Sequence, residues 1–120
     1  AHRDLHSFPT RRSSDLSDAF RRIAAAYPNR PEAHFNYGLV LSAGGEHRAA
    51  LESYRNASES PAAARLPKFR TRCGLRMADT YIALRAFPEA HGELRKILAA
   101  EPENPEALRK MRKLEGLPES

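Results

Sequence analysis

The chain repeats a pattern of apolar residues at a nearly constant interval, and this repeat limits the folds that it can adopt. Two series of large apolar residues mark the interval: Phe20, Tyr54 and Leu94, and Tyr37, Met77 and Met111. The steps within the first series are 34 and 40 residues, and those within the second are 40 and 34. A step of about 34 residues with helix–turn–helix content is typical of a stacked helical solenoid, in which each unit buries its apolar face against its neighbours.

The first sixteen residues differ in kind from the rest of the chain. Residues 2–16, HRDLHSFPTRRSSDL, resemble the conceptual translation of a common sequencing adapter. We therefore expect residues 1–16 to be non-biological and disordered, and the natural sequence to begin near Ser17 as a fragment of a longer protein. The alternative is that these residues are a natural basic arm, which would then be a candidate functional element.

The remaining sequence is enough for one small domain. Three of the 20 basic and two of the 15 acidic residues lie in residues 1–16, which leaves 17 against 13, a mildly basic balance. The single cysteine excludes an internal disulfide and favours a reducing, cytoplasmic compartment. No apolar run approaches the roughly 20 residues of a membrane span. Abundant Arg and Ala suggest a GC-rich bacterial genome.

Apolar residues at i, i+3 and i+4 spacing predict helices and no sheet. The predicted helices cover 17–27, 31–43, 46–58, 67–85, 88–100 and 106–115, and a tail follows at 117–120. Gly44 and Gly45 end the second helix, because glycine tolerates the left-handed conformation of a C-cap. The irregular segment 60–72, with Pro61 and Pro67, accounts for the six residues by which the longer step exceeds the shorter.

The segment 31–61 resembles a tetratricopeptide repeat. Tyr37-Gly38 stand where the family has a Leu-Gly pair, Gly45 lies in the tight turn, and Ala50, Tyr54 and Ala57 match the small–aromatic–small series of the second helix. A weaker repeat at 71–104 has Arg85-Ala86 in place of the turn glycine. The resemblance implies an all-α, helical-hairpin solenoid over residues 17–116, with about two full repeats plus two half-repeats.

The resemblance also implies a function. In this family the first helices of successive hairpins line a concave groove, and we expect a protein–protein interaction module that binds a partner peptide or helix there. By register, the groove residues are Glu32, Phe35, Asn36, Leu39, Ser42, Arg72, Leu75, Arg76, Asp79, Ile82 and Ala83. Chaperone-binding members hold a terminal carboxylate with Lys and Asn, whereas this chain has Phe35 and Leu39 at those places. This substitution disfavours that specialised activity.

Two alternatives stay open. In the first, the chain is the repeat region of a larger bacterial enzyme, such as a transferase, whose catalytic part lies elsewhere. In the second, the chain binds nucleic acid or phosphate. The second alternative rests on a basic cluster without an acidic residue: Arg65, Lys68, Arg70, Arg72 and Arg76. We expect the interleaved Phe69 to be buried, which disfavours stacking on bases.

The sequence shows no pattern that predicts catalysis or a cofactor. His34, His47 and His91 lack the spacing of zinc ligands, and Cys73 lies on the apolar face of a predicted helix. We therefore expect no catalytic residue, no metal and no cofactor. About three repeats are usually needed for a stable array, so we also expect melting below about 70 °C and an exposed apolar edge at the first helix.

Overall fold

The computed structural model describes residues 4–116, with side chains from residue 15 onward. This part of the chain contains six α-helices and no strand. The helices are α1 Asp4–Ala26, α2 Pro31–Ala43, α3 His47–Glu59, α4 Pro67–Ala83, α5 Phe87–Ala100 and α6 Pro105–Leu114, and a 3₁₀ helix at Pro61–Arg65 precedes α4. The predicted tail at 117–120 lies outside the described residues.

Each helix packs mainly against the next one along the chain. Short turns join α2 to α3 and α4 to α5, so these two pairs form helical hairpins. The hairpins pack on each other through α3 and α4, while α1 covers one end of the stack and α6 the other. The predicted all-α solenoid is therefore confirmed, and the bounds of α2 agree with the prediction to the residue.

The first helix differs from the prediction. It begins at Asp4, so Ser17, where we expected the helix to begin, lies inside α1. Neither glycine nor proline occurs between Thr10 and Tyr27, so nothing in the sequence there stops a helix. The helix thus includes residues 4–16, which we expected to be disordered. The adapter origin of residues 2–16 and the domain limit at residue 17 stay predictions.

Close contact between the helices of the first hairpin depends on Gly38. A Cβ atom added at Gly38 would lie 2.6 Å from Cε1 of Tyr54, a distance at which atoms overlap. Tyr54 is 1% exposed and packs against Phe35 with ring centroids 5.6 Å apart. The aromatic ring of α3 therefore fills the space that the missing side chain leaves on α2. Other small residues on these helices, Ala50, Ala57, Ala78 and Ala90, are all fully buried.

The turn of each hairpin uses one residue in the left-handed conformation. Gly45 has a φ of 80° between α2 and α3, and Arg85 has a φ of 62° between α4 and α5. The backbone N–H of the third residue beyond each helix donates a hydrogen bond back to the last turn of that helix. Glu46 donates to the Leu41 carbonyl at 2.9 Å, and Ala86 donates to the Tyr81 carbonyl at 2.8 Å. The second hairpin thus forms the same turn without a glycine.

The first helix leaves large apolar side chains exposed, as the repeat count predicted. Leu16, Ile23 and Tyr27 are 50%, 45% and 48% exposed and recur at helical spacing along α1. One 34-residue step later, the positions that correspond to Leu16 and Ile23 are Ala50 and Ala57, both fully buried. Helix α1 is therefore the end of the stack, with one apolar stripe uncovered among the described residues.

Candidate functional site

Helices α2 and α4 lie side by side and present corresponding residues on one face. Between them is a cleft of about 310 Å³. Five predicted groove residues line it: Leu39 and Ser42 from α2, and Arg76, Asp79 and Ala83 from α4. His47 closes the α3 side of the cleft, and its Nδ1 atom is buried without a hydrogen-bond partner in the described part of the chain. The cleft therefore offers a ligand both apolar surface and polar groups.

The remaining predicted groove residues divide into two groups. Glu32, Asn36 and Arg72 are exposed. The guanidinium of Arg72 lies over the ring of Phe35, with Cζ 4.9 Å from the ring centroid. Exposed side chains on these helices are therefore available to a ligand.

Phe35 and Leu75, however, do not face the groove. Phe35 is 3% exposed because its ring contacts the rings of Tyr54 on α3 and Phe69 on α4. Leu75 is 8% exposed and belongs to a core cluster that includes Ala107 of α6. At this position of each hairpin, the next helix in the stack covers the side chain. Of the large apolar side chains predicted for the groove, only Leu39 and Ile82 therefore remain available.

A second cleft, of about 330 Å³, lies between α4 and α6. Its lining combines apolar and charged side chains: Asp79, Ile82, Phe87, Arg109, Lys110, Lys113 and Leu114. Asp79 lines both clefts, so the two form one continuous surface, which we call the groove. Among these residues the sequence predicted only Asp79 and Ile82. Lys110 follows Arg76 by 34 residues, the same step that separates Met111 from Met77. This repeat interval was the signal in the sequence that could have predicted a contribution of α6 to the groove.

The charge of the groove is predominantly positive. Lys110 Nζ lies 2.8 Å from Oδ1 of Asp79 and 3.4 Å from Oε2 of Glu106, so both acids are paired with one lysine. The side chains of Arg76, Arg109 and Lys113 have no ion-pair partner in the described part of the chain, and all three are exposed. Burial raises the pKa of the Tyr54 hydroxyl above 10.0, which keeps that wall of the first cleft uncharged at neutral pH.

The basic cluster at 65–76 does not form one surface. Arg76 lines the cleft between α2 and α4, and Arg72 lies over Phe35. Arg70 instead lines a different cleft, of about 620 Å³, between α3 and α5. Phe69 is buried, as expected, and is not available for stacking on a base. The helical twist of α4 therefore distributes these cations over different faces.

Other residue types offer little chemistry. Burial raises the pKa of the Cys73 thiol to about 12, and this side chain is fully buried in the core. In residues 4–116, the structure contains no group of three or more His, Cys, Asp or Glu side chains that could hold a metal ion. Within the same range, every helix is too short or too polar to cross a bilayer.

A comparison with solved structures decides the fold. The first tetratricopeptide repeat domain of Spaghetti (RPAP3), solved with the HSP90 peptide SRMEEVD, superposes with a TM-score of 0.70. The match covers 96% of this chain and 86% of that one, at 20% sequence identity. The fold is that of a tetratricopeptide repeat domain. Neither a family model nor a curated protein matches the sequence.

Proposed function

We propose that this tetratricopeptide-like domain binds an extended or helical segment of a partner protein in the groove formed by α2, α4 and α6. The observation that carries the proposal is the pair of adjoining clefts that share Asp79. Together they give an open, preformed surface with apolar patches and unpaired polar groups, which is the character of a peptide-binding groove. The RPAP3 domain with the same fold was solved with a peptide bound.

Binding in such a groove needs no covalent step. Leu39 and Ile82 supply apolar contact, and Asn36, Ser42 and Arg76 supply hydrogen-bonding groups along the same face. The helices hold these side chains in place before a ligand arrives, so little conformational entropy is lost on binding. A repeat region attached to an enzyme would bind a partner through the same surface, so the proposal holds whatever else the full-length protein carries.

Nucleic acid is the less favoured ligand. Phosphate binding along a strand needs cations on one surface, whereas Arg70 lies on a different face from Arg72 and Arg76. Base stacking beside the basic cluster at 65–76 needs an exposed aromatic ring, and Phe69, the aromatic residue within that cluster, is buried against Phe35. The groove does offer exposed apolar surface, which suits a peptide better than a phosphate backbone.

The proposal is tested by selecting ligands from a phage-displayed library of random peptides of about twelve residues. We expect selected peptides to bind the full chain with micromolar affinity in fluorescence anisotropy, and Leu39→Glu to weaken that binding at least about tenfold. Leu39 is exposed, so this change should leave the fold intact.

Ala99→Glu is the matched control, because it adds the same charge at an exposed position of α5 outside both clefts. Equal loss of binding in Leu39→Glu and Ala99→Glu would contradict a groove site. Failure to select any binding peptide would contradict the proposed function itself.

A further inference from the structure

We propose that a second copy of this chain docks on the cleft between α3 and α5, and that the two copies pair there around a two-fold axis. We call this cleft the insertion cleft, because the inserted 3₁₀ helix borders it. It has a volume of about 620 Å³ and shares no lining residue with the two clefts of the groove. The inference is therefore independent of the proposed function.

The 3₁₀ helix accompanies an enlargement of this cleft. The corresponding cleft one repeat earlier, between α1 and α3, is about 420 Å³; Tyr37 lines it, and Met77, 40 residues later, lines the insertion cleft. The connection before α4, residues 60–66, contains the 3₁₀ helix, whereas the shorter connection before α2 contains only a turn. Pro61 and Ala64 of the 3₁₀ helix form part of the wall. The longer connection therefore adds an exposed ridge beside a wider cleft.

Two exposed and oppositely charged side chains of the insertion cleft are unpaired. Glu59 is the last residue of α3, and Arg70 lies in the first turn of α4. Neither side chain has a hydrogen bond or an ion pair within residues 15–116. Lys96, by contrast, has its Nζ atom 3.2 Å from Oε2 of Glu93 in the same cleft. One carboxylate and one guanidinium therefore remain available to a partner.

A second copy satisfies both charges in a single contact. In a two-fold arrangement the same surface faces itself, so Glu59 of each copy lies opposite Arg70 of the other. Two ion pairs form, and neither charge is left alone. A partner of another kind would have to carry an anion and a cation at the matching separation, whereas a second copy necessarily carries both.

The charge of the whole chain favours the same surface. The formal net charge is +5, so two copies repel each other on average. The lining of the insertion cleft is neutral, because three cations are matched by three carboxylates: Arg55, Arg70, Lys96, Glu59, Glu93 and Glu101. Two copies therefore meet less repulsion at this face than elsewhere.

Apolar surface beside these charges supplies the remaining attraction. Pro61, Ala64 and Pro67 line the cleft and are exposed, and Leu66 is 43% exposed next to them in the chain. Burial of apolar surface drives association, whereas exposed ion pairs contribute little energy and mainly fix the orientation. The patch is small for a protein interface, so we expect a dissociation constant on the order of 100 µM and a monomer at low micromolar concentrations.

Sedimentation velocity of the full chain between about 5 µM and about 1 mM tests the inference. We expect the sedimentation coefficient to rise from that of a monomer toward that of a dimer. Arg70→Glu and Glu59→Arg each bring like charges together twice in a dimer, and each should raise the dissociation constant at least about tenfold. Both changes should leave the fold intact, because a helix N-terminus favours an acid and a C-terminus favours a cation.

Two matched controls make the same changes in charge outside the cleft. Arg95→Glu and Glu103→Arg lie at exposed positions that do not line the insertion cleft, and both should associate as the wild type does. Leu39→Glu, which tests the groove, should also retain the dimer, because Leu39 lines a different cleft.

The decisive measurement is a mixture of the two charge variants. When Arg70→Glu pairs with Glu59→Arg, one contact keeps the natural pair of charges and the other has the same two charges exchanged. Both contacts then join opposite charges, so the mixture should associate about as tightly as the wild type although neither variant does so alone. The double variant Arg70→Glu/Glu59→Arg should self-associate for the same reason.

Three results would overturn the inference. A chain that stays monomeric up to about 1 mM has no such contact. A dimer that persists in both charge variants and is lost in Ile23→Ser forms through the exposed apolar stripe of α1. A mixture that stays monomeric shows that the two charges do not meet across a two-fold axis. None of these results bears on the groove, which the peptide selection tests separately.

Discussion

The hairpin α2–α3 and the hairpin α4–α5 build the same backbone from different side chains. In the first, Gly38 accommodates the ring of Tyr54; in the second, the positions 40 residues later are Ala78 and Leu94. Ala78 and Leu94 are both fully buried and belong to one core cluster. A smaller side chain on one helix thus leaves room for a larger one on the other, so the volume between the helices is conserved while its residues change.

The two hairpins also differ in the residues of their turns and in those of their groove face. The turns have the same geometry with Gly45 and with Arg85, and only the second stores the strain of a side chain in the left-handed region. Groove positions change their chemistry without compensation: Glu32 corresponds to Arg72, Asn36 to Arg76 and Leu39 to Asp79. Positions that hold the hairpin together are therefore constrained as pairs, and positions on the groove are free to set the charge that a ligand meets.

The largest expected effect comes from placing in the first hairpin, at Gly38, the alanine that the second hairpin has at the corresponding position. Gly38→Ala places a Cβ atom 2.6 Å from the Tyr54 ring and should destabilise the domain by about 1–3 kcal/mol, although alanine favours the helix. Urea unfolding followed by circular dichroism measures the change.

Adding Tyr54→Leu to Gly38→Ala recreates the pair found in the second hairpin. The double variant should lose at least about 0.5 kcal/mol less stability than the sum of the two single variants, because the two side chains share one space. Additive losses would show that the compensation between the hairpins is not real.

The next effect concerns the turns, and its sign should differ between them. Gly45→Ala should destabilise the domain by about 1 kcal/mol, whereas Arg85→Gly should stabilise it by up to about 1 kcal/mol, because only glycine adopts a positive φ without strain. No atom lies within 4 Å of a Cβ added at Gly45, so that change tests the backbone alone. Thermal melting of both variants checks the prediction, and a stabilised Gly45→Ala would contradict it.

The smallest expected effect is a pH dependence of stability that arises in the second hairpin and not in the first. Thr71 Oγ1 donates a hydrogen bond to Glu101 Oε2, and Asn104 Nδ2 donates one to Oε1 at 3.0 Å. These bonds, with Thr71 first, hold the pKa of Glu101 below its ordinary value of 4.5. The residues 40 positions earlier, Pro31 and Pro61, provide no such pair in the first hairpin.

A lowered pKa stabilises the folded state above the pKa of the unfolded chain, and that stability is lost as the pH falls through the folded value. Lowering the pH from about 6 to about 3 should therefore destabilise the wild type slightly more than Glu101→Gln. Urea midpoints at the two pH values measure the difference, and Glu59→Gln, an exposed acid on α3, is the control. Identical slopes for all three proteins would rule out a contribution from Glu101.

Much of the fold could be predicted because local patterns decide it. The helix ends at Ala43 and near Ser58 follow from Gly44-Gly45 and Pro61, and the buried faces follow from spacing alone. The groove could be predicted only in part. Leu39, Ser42, Arg76 and Asp79 lie together as expected, whereas Phe35 is covered by α4. The local pattern identifies the apolar stripe of a helix, but it does not say which neighbouring helix covers that stripe.

By itself, the sequence determined the helices, the hairpins and the interval at which they stack, because these depend on residue propensities and on apolar spacing within a few turns. Only the tertiary structure decided which residues of the stacked helices remain accessible. It divided the basic cluster over separate faces, buried Phe35 and Leu75, and joined α6 to the groove through Asp79 and Lys110. The physical reason is that these properties depend on the rotation of one helix relative to the next, which long-range packing sets.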